Sequence, residues 1–121
     1  MVGTGKTVSN PRLLRQAKFS VGQIVRHRLF NFRGVIFDVD PIFSNSEEWY
    51  QAIPAERRPS KDQPFYHLYA QNATGGPYEA YVSEQNLVVD AENGPVQHPM
   101  LDVVFTGIAG DRYVLRSGRV Q

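Results

Sequence analysis

VGQIVRHRLFNFRGVIFDVDP, residues 21–41, is the stretch whose reading decides the fold. Val25, His27 and Leu29 alternate with Ile24, Arg26 and Arg28, the period of two that sends neighbouring side chains to opposite faces of a strand. After Arg33 and Gly34 a second alternating run sets Val35, Phe37 and Val39 on one face, with Ile36, Asp38 and Asp40 on the other. Half-apolar alternation fits a sheet with one buried face, so the segment reads as the opening hairpin of a small β-barrel. Where an enzyme would carry a nucleophile, this hairpin carries Arg26, Arg28 and Arg33, interleaved with Phe30 and Phe32 near its tip.

Downstream, residues 41–63 form a long connection. Ser44 followed by Glu47 has capping-box spacing and predicts a short helix over residues 45–53, stopped by Pro54, with Trp49 and Ile53 on its inner face. The AERRPSKDQP run after it is charged and proline-punctuated, hence an exposed loop. Strands follow at 65–71, 78–83 and 87–89, separated by a glycine-rich turn at 72–77 and a tight corner at 84–86. The prediction is a mainly β fold: a small SH3-like five-stranded curled barrel with a short helix inserted between strands 2 and 3, closure hiding most sheet edges. A short C-terminal helix completes it. Pro99 can start that helix, Leu101, Val104, Phe105 and Ile108 keep the i, i+3, i+4, i+7 spacing, and Gly110 would end it. Its apolar stripe either packs back on the barrel or is offered to a second subunit or partner. The expected organisation is a flexible basic arm at 1–16, the barrel domain at 17–90 and a C-terminal extension at 91–121 with a basic tail.

At 121 residues and 41% hydrophobic, the chain is one domain with a real core, which excludes wholesale disorder. No run approaches the roughly 18 apolar residues of a membrane span, and the first twenty residues hold no signal-peptide core, so a cytoplasmic protein is expected. The absence of cysteine excludes disulfides, thiol catalysis and cysteine-ligated zinc. Net charge is +1 but unevenly spread. Lys6, Arg12, Arg15, Lys18, Arg26, Arg28 and Arg33 precede Asp38 without one acid, whereas residues 38–111 set twelve acids against Arg57, Arg58 and Lys61. A basic arm suits phosphates and an acidic surface suits basic protein segments; basic termini are also common as solvated ends.

The chemistry-bearing residues favour binding over catalysis. Gly3 to Thr7 imitates a phosphate loop but lacks the glycine five positions upstream and the preceding strand. His27, His67 and His98 do not fall in a metal-binding motif, so no metal and no cofactor is expected. Asp38 and Asp40 share a strand face, yet nothing nearby supplies a complementary base or nucleophile, and closing the turn at Pro41 is their simpler role. Arg26, Arg28 and Arg33, with Lys18 and Arg15 from the arm, are the phosphate candidates, because a guanidinium fork grips two oxygens at once. Cross-strand pairing with Asp38, Asp40 or Glu79 is the alternative for those arginines. Trp49, Leu101, Phe105 and Ile108 are the protein-interaction candidates.

Four motifs, in order, carry a resemblance: the GQ-VRH start, the RGVI-DVDP second strand, the Tyr66-His67 pair within FYHLYA, and the YV-E-NL ending at Leu87. Over roughly residues 17–89 the chain resembles the HspQ family, also called the YccV-like or hemimethylated-DNA-binding domain family. The resemblance implies a bacterial cytoplasmic, stress-related regulator without enzymatic activity, linked both to hemimethylated DNA and to the Lon protease, for which it improves degradation of selected protein substrates. It also suggests self-association as a trimer, which no heptad pattern supports. Near-neutral net charge argues against tight nonspecific DNA binding, so the adaptor role ranks before the DNA-binding alternative.

Overall fold

The structure, a computed structural model, describes residues 17–116. Arg15 and the rest of the basic arm lie outside the described residues, as does Arg119. Strands β1 (Ile24–His27), β2 (Arg33–Asp40), β3 (Phe65–Gln71), β4 (Pro77–Ser83) and β5 (Leu87–Val89) form one antiparallel sheet in the order β4-β3-β2-β1-β5. Helix α1 (Glu47–Gln51) and a 3₁₀ turn (Ala55–Arg57) are inserted between β2 and β3. The mainly β expectation and the inserted helix are both found.

Barrel closure is not. β4 and β5 are the sheet's two edges and do not pair with each other. A single 3₁₀ turn, Glu84–Asn86, carries the chain from β4 to β5, whose three residues are all taken up in pairing β1. β1 also ends at His27, earlier than the alternation suggested, and Leu29 stands exposed in the turn.

The faces of β2 need correction too. Ile36 pairs with Leu68 and Asp38 with His67, leaving Phe37 as the extra residue of a β-bulge. Beyond the bulge the alternation is reversed, so Val39 joins Ile36 in one apolar cluster while Val35 and Phe37 belong to the other.

The sheet is buried on both faces rather than one. On the inner face Val25, Ile36, Tyr66, Leu68, Val82 and Leu87 pack together. On the outer face Ile24, Val35 and Tyr69 meet Val96, Leu101, Phe105 and Tyr113 from the C-terminal extension. The extension therefore supplies a second core layer.

The helix expected across Leu101, Val104, Phe105 and Ile108 is a single turn, α2 (Leu101–Val104), followed by a hairpin of β6 (Phe105–Ala109) and β7 (Arg112–Leu115). Two adjacent valines, Thr106 and Gly107 disfavour helix, and Gly107 and Gly110 sit at positive φ, so the chain turns instead of coiling. Leu101 and Phe105 are core residues, whereas Ile108 remains 45% exposed. No helix therefore aligns the three residues in one stripe.

The hairpin is tied to the sheet at Gly22. Tyr113 donates its N–H to the Gly22 carbonyl at 2.8 Å, and Gly22 donates to Ile36 O at 2.8 Å. On the opposite side the chain entry is fixed by Glu84: its Oε2 accepts from Lys18 N at 2.8 Å and from the buried Tyr66 hydroxyl at 2.7 Å. Burial and this carboxylate push the Tyr66 pKa well above the ordinary phenol value.

Candidate functional site

The three hairpin arginines do not form one free patch. Arg26 and Arg33 are cross-strand partners, so both project from the outer face, with Asp90 against them. Arg33 Nε donates to Asp90 Oδ2 at 2.8 Å, and its two terminal nitrogens donate to the carbonyls of Asp90, Gly94 and Pro95. Four of the guanidinium's five donors are thus engaged within the chain. Arg26 stands farther from the carboxylate, at 3.9 Å, and donates to Asn31 Oδ1. Arg28 lies past the end of β1, exposed, with its Nε on Gln85 O at 2.8 Å. Lys18 is exposed at the start of the described chain, its backbone N–H on Glu84.

The β1–β2 turn and the α1 insertion face each other across a groove of about 430 Å³. Leu29, Phe30 and Phe32 of the turn line it together with Trp49 and Ile53 of the insertion and Tyr78 and Val82 of β4. Of the protein-interaction candidates, Trp49 alone lines it.

The insertion is held in place by local chemistry that fixes Trp49. The cap is Ser46, whose Oγ accepts from Trp49 N at 3.0 Å, rather than the predicted Ser44, whose N–H donates to the Tyr81 hydroxyl. Phe43 packs among Trp49, Tyr50, Phe65 and Tyr81. Lys61 pairs with Glu47 at 2.6 Å and lies over the Tyr50 ring, and the Arg58 fork closes on the Ile53 and Gln51 carbonyls. The lysine, with Gln51, lowers the Glu47 pKa.

Asp38, Asp40 and His67 converge, with one ligand atom from each within 4.8 Å of the others. Sequence spacing did not signal this group, because the Phe37 bulge sets the register that places Asp38 opposite His67. Its bonds already account for it: Asp40 Oδ2 takes His67 Nε2 at 3.0 Å and the Tyr81 hydroxyl at 2.7 Å. The Tyr81 hydroxyl, its pKa raised by burial and by Asp40, in turn accepts from Ser44 N and so fastens the insertion to the sheet.

His27 is the groove residue that sequence reasoning passed over. It is only 5% exposed, its ring stacks under Phe30 at 4.6 Å, and its Nδ1 accepts from Leu29 N at 3.1 Å and Phe30 N at 3.0 Å. Nδ1 therefore carries no proton, and the neutral ring keeps its proton on Nε2. Burial first, then the Arg28 charge, lowers its pKa below the ordinary 6.5. The unfolded chain thus binds this proton more readily, so the histidine's contribution to stability is complete above 6.5 and is lost as pH falls toward the depressed folded value. Melting temperature should drop between pH 7.5 and about 5.5, and His27→Asn should flatten that slope. An unchanged slope in the variant would remove His27 as its source.

A protein-family model described as hemimethylated DNA-binding protein YccV like matches residues 17–112, from the start of the described chain into the β6–β7 hairpin. With most of its length inside that match, this chain belongs to the YccV-like family.

Proposed function

We propose that the protein is a non-enzymatic cytoplasmic adaptor that binds polypeptide and raises the degradation of selected substrates by the Lon protease. The observation that carries this reading is the groove: apolar walls, no carboxylate among the lining residues, and exposed Leu29 and Phe30 at its lip. Exposed apolar patches of this kind mark protein contacts. The hairpin arginines, in contrast, already have partners within the chain. Purified protein added to Lon should accelerate turnover of some substrates and leave others unchanged, without hydrolysing any alone. Unaltered degradation across a panel that includes heat-damaged proteins would overturn the proposal.

A second reading is favoured by the family's description and by the exposure of Arg28: binding of hemimethylated DNA. On that reading Arg26 and Arg28 touch phosphates, and the Arg26→Ala, Arg28→Ala double variant should lower the slope of log affinity against log salt by about 1.8, at 0.9 per contact. Methylation preference needs base-edge or shape readout in addition, because phosphates carry no sequence.

A further inference from the structure

We infer that the groove between the hairpin tip and α1 takes an extended peptide segment presenting an aromatic side chain beside an acidic residue. The inference deepens the adaptor proposal by naming the chemistry of the bound segment, and it draws its physiological meaning from that proposal.

Three features select this occupant. The lining is aromatic from both elements, Phe30 and Phe32 of the turn and Trp49 of the insertion, which suits a flat ring more than a branched aliphatic chain. His27 lines the groove with a proton on Nε2 that none of the described residues accepts. A buried donor left unmade is costly, and a backbone carbonyl of an extended peptide is an acceptor of the right kind. The third feature is charge. Although residues 38–111 are strongly acidic, the lining among the described residues contains no Asp or Glu and one strong cation, Arg57, whose guanidinium sits 5.9 Å from the centre of the Phe30 ring. A carboxylate next to the anchoring ring meets Arg57, whereas a lysine there meets repulsion.

A nucleobase shares the aromatic walls but brings phosphates on either side. Exposed Glu48 and Glu56 add negative charge to the insertion that such phosphates would have to approach. Peptide is therefore the better match.

Trp49 is the single tryptophan of the chain, and it reports directly on the groove. The full-length protein would be titrated with a blocked hexapeptide carrying one phenylalanine between two aspartates, with the same peptide bearing lysines instead, and with a short oligothymidylate. The acidic peptide should shift Trp49 emission saturably and bind about tenfold more tightly than the lysine peptide. Arg57→Glu, at an exposed position of the 3₁₀ turn, should reverse that preference, and Phe30→Ala should weaken both peptides. Equal binding of the two peptides, an unchanged preference in Arg57→Glu, no emission change, or a response to oligothymidylate alone would each overturn the inference. Peptide binding without any effect on Lon would defeat the adaptor proposal and leave the groove's specificity standing; stimulation of Lon without peptide binding would do the opposite.

Discussion

Gly22→Ala is expected to cost about 3–4 kcal/mol and to loosen the whole C-terminal layer. Gly22 sits at φ +97, where an alanine is strained by roughly 1–3 kcal/mol. A Cβ there would also be driven into the Tyr113 carbonyl, which is backbone and part of β7. The only relief is to move β7 away, and that breaks the Tyr113 N–H to Gly22 O bond and opens the outer core around Phe105 and Tyr113. Gly75 provides the control. Its φ of +89 is similarly left-handed, but a Cβ there meets nothing within 4 Å, so Gly75→Ala should cost only about 1 kcal/mol. For a domain of this size each kcal/mol lowers the melting temperature by about 4 °C or more, so the two variants should differ by at least about 8 °C. Similar melting curves would show that the close approach at Gly22 does not hold the layers together.

How much of this was legible beforehand follows from the range of the interactions involved. β3 and β5 could be bounded because turn residues flank short apolar runs, and α1 could be expected because a cap and Pro54 bracket it. The one-residue bulge at Phe37 has no local signature in RGVIFDVD, since a bulge is set by the partner strand. It reassigned Val39 and built the Asp38–Asp40–His67 group. Burial on both faces did leave a trace: Ile24-Val25 and Val35-Ile36 are adjacent apolar pairs, which strict one-sided alternation does not produce. The C-terminal segment misled because Leu101, Val104, Phe105 and Ile108 fit helical spacing, while Gly107 and Gly110 chose the hairpin. At the candidate site, the arginines were visible as residue types but their partners were not, because Asp90 and Gly94 lie some sixty residues away in sequence. Gly34 is required by a close approach and not by positive φ, since a Cβ there would lie 3.0 Å from Tyr69 O.

Arg33→Ala is expected to act on stability before it acts on any ligand. The Asp90 side chain is only 4% exposed, and removing its 2.8 Å partner leaves a nearly buried carboxylate with only Arg26, at 3.9 Å, and the Asn93 amide to balance it. Breaking an isolated buried pair costs about 3–5 kcal/mol; with Arg33 itself 19% exposed and Arg26 and Asn93 still on Asp90, about 2–3 kcal/mol is expected. The loss should also free the 90–95 segment, because the same guanidinium clamps the Asp90, Gly94 and Pro95 carbonyls. Lysine is a poor substitute, since an ammonium lacks the planar fork that reaches several acceptors at once, so Arg33→Lys should recover only part of the loss. Removing both charges with Arg33→Ala and Asp90→Asn should be less harmful than the sum of the single changes, the signature of a coupled pair. Arg28→Ala, at an exposed position with one hydrogen bond to Gln85 O, should cost about 1 kcal/mol or less. Thermal melts of the five variants, the single Asp90→Asn included, read beside duplex binding at two salt concentrations, distinguish a structural clamp from a phosphate contact. A clamp lowers the melting temperature and leaves the salt slope of the folded fraction intact. A phosphate contact does the reverse, and an Arg33→Ala protein that melts like the wild type while its salt slope falls by about 0.9 would return Arg33 to the DNA-binding surface.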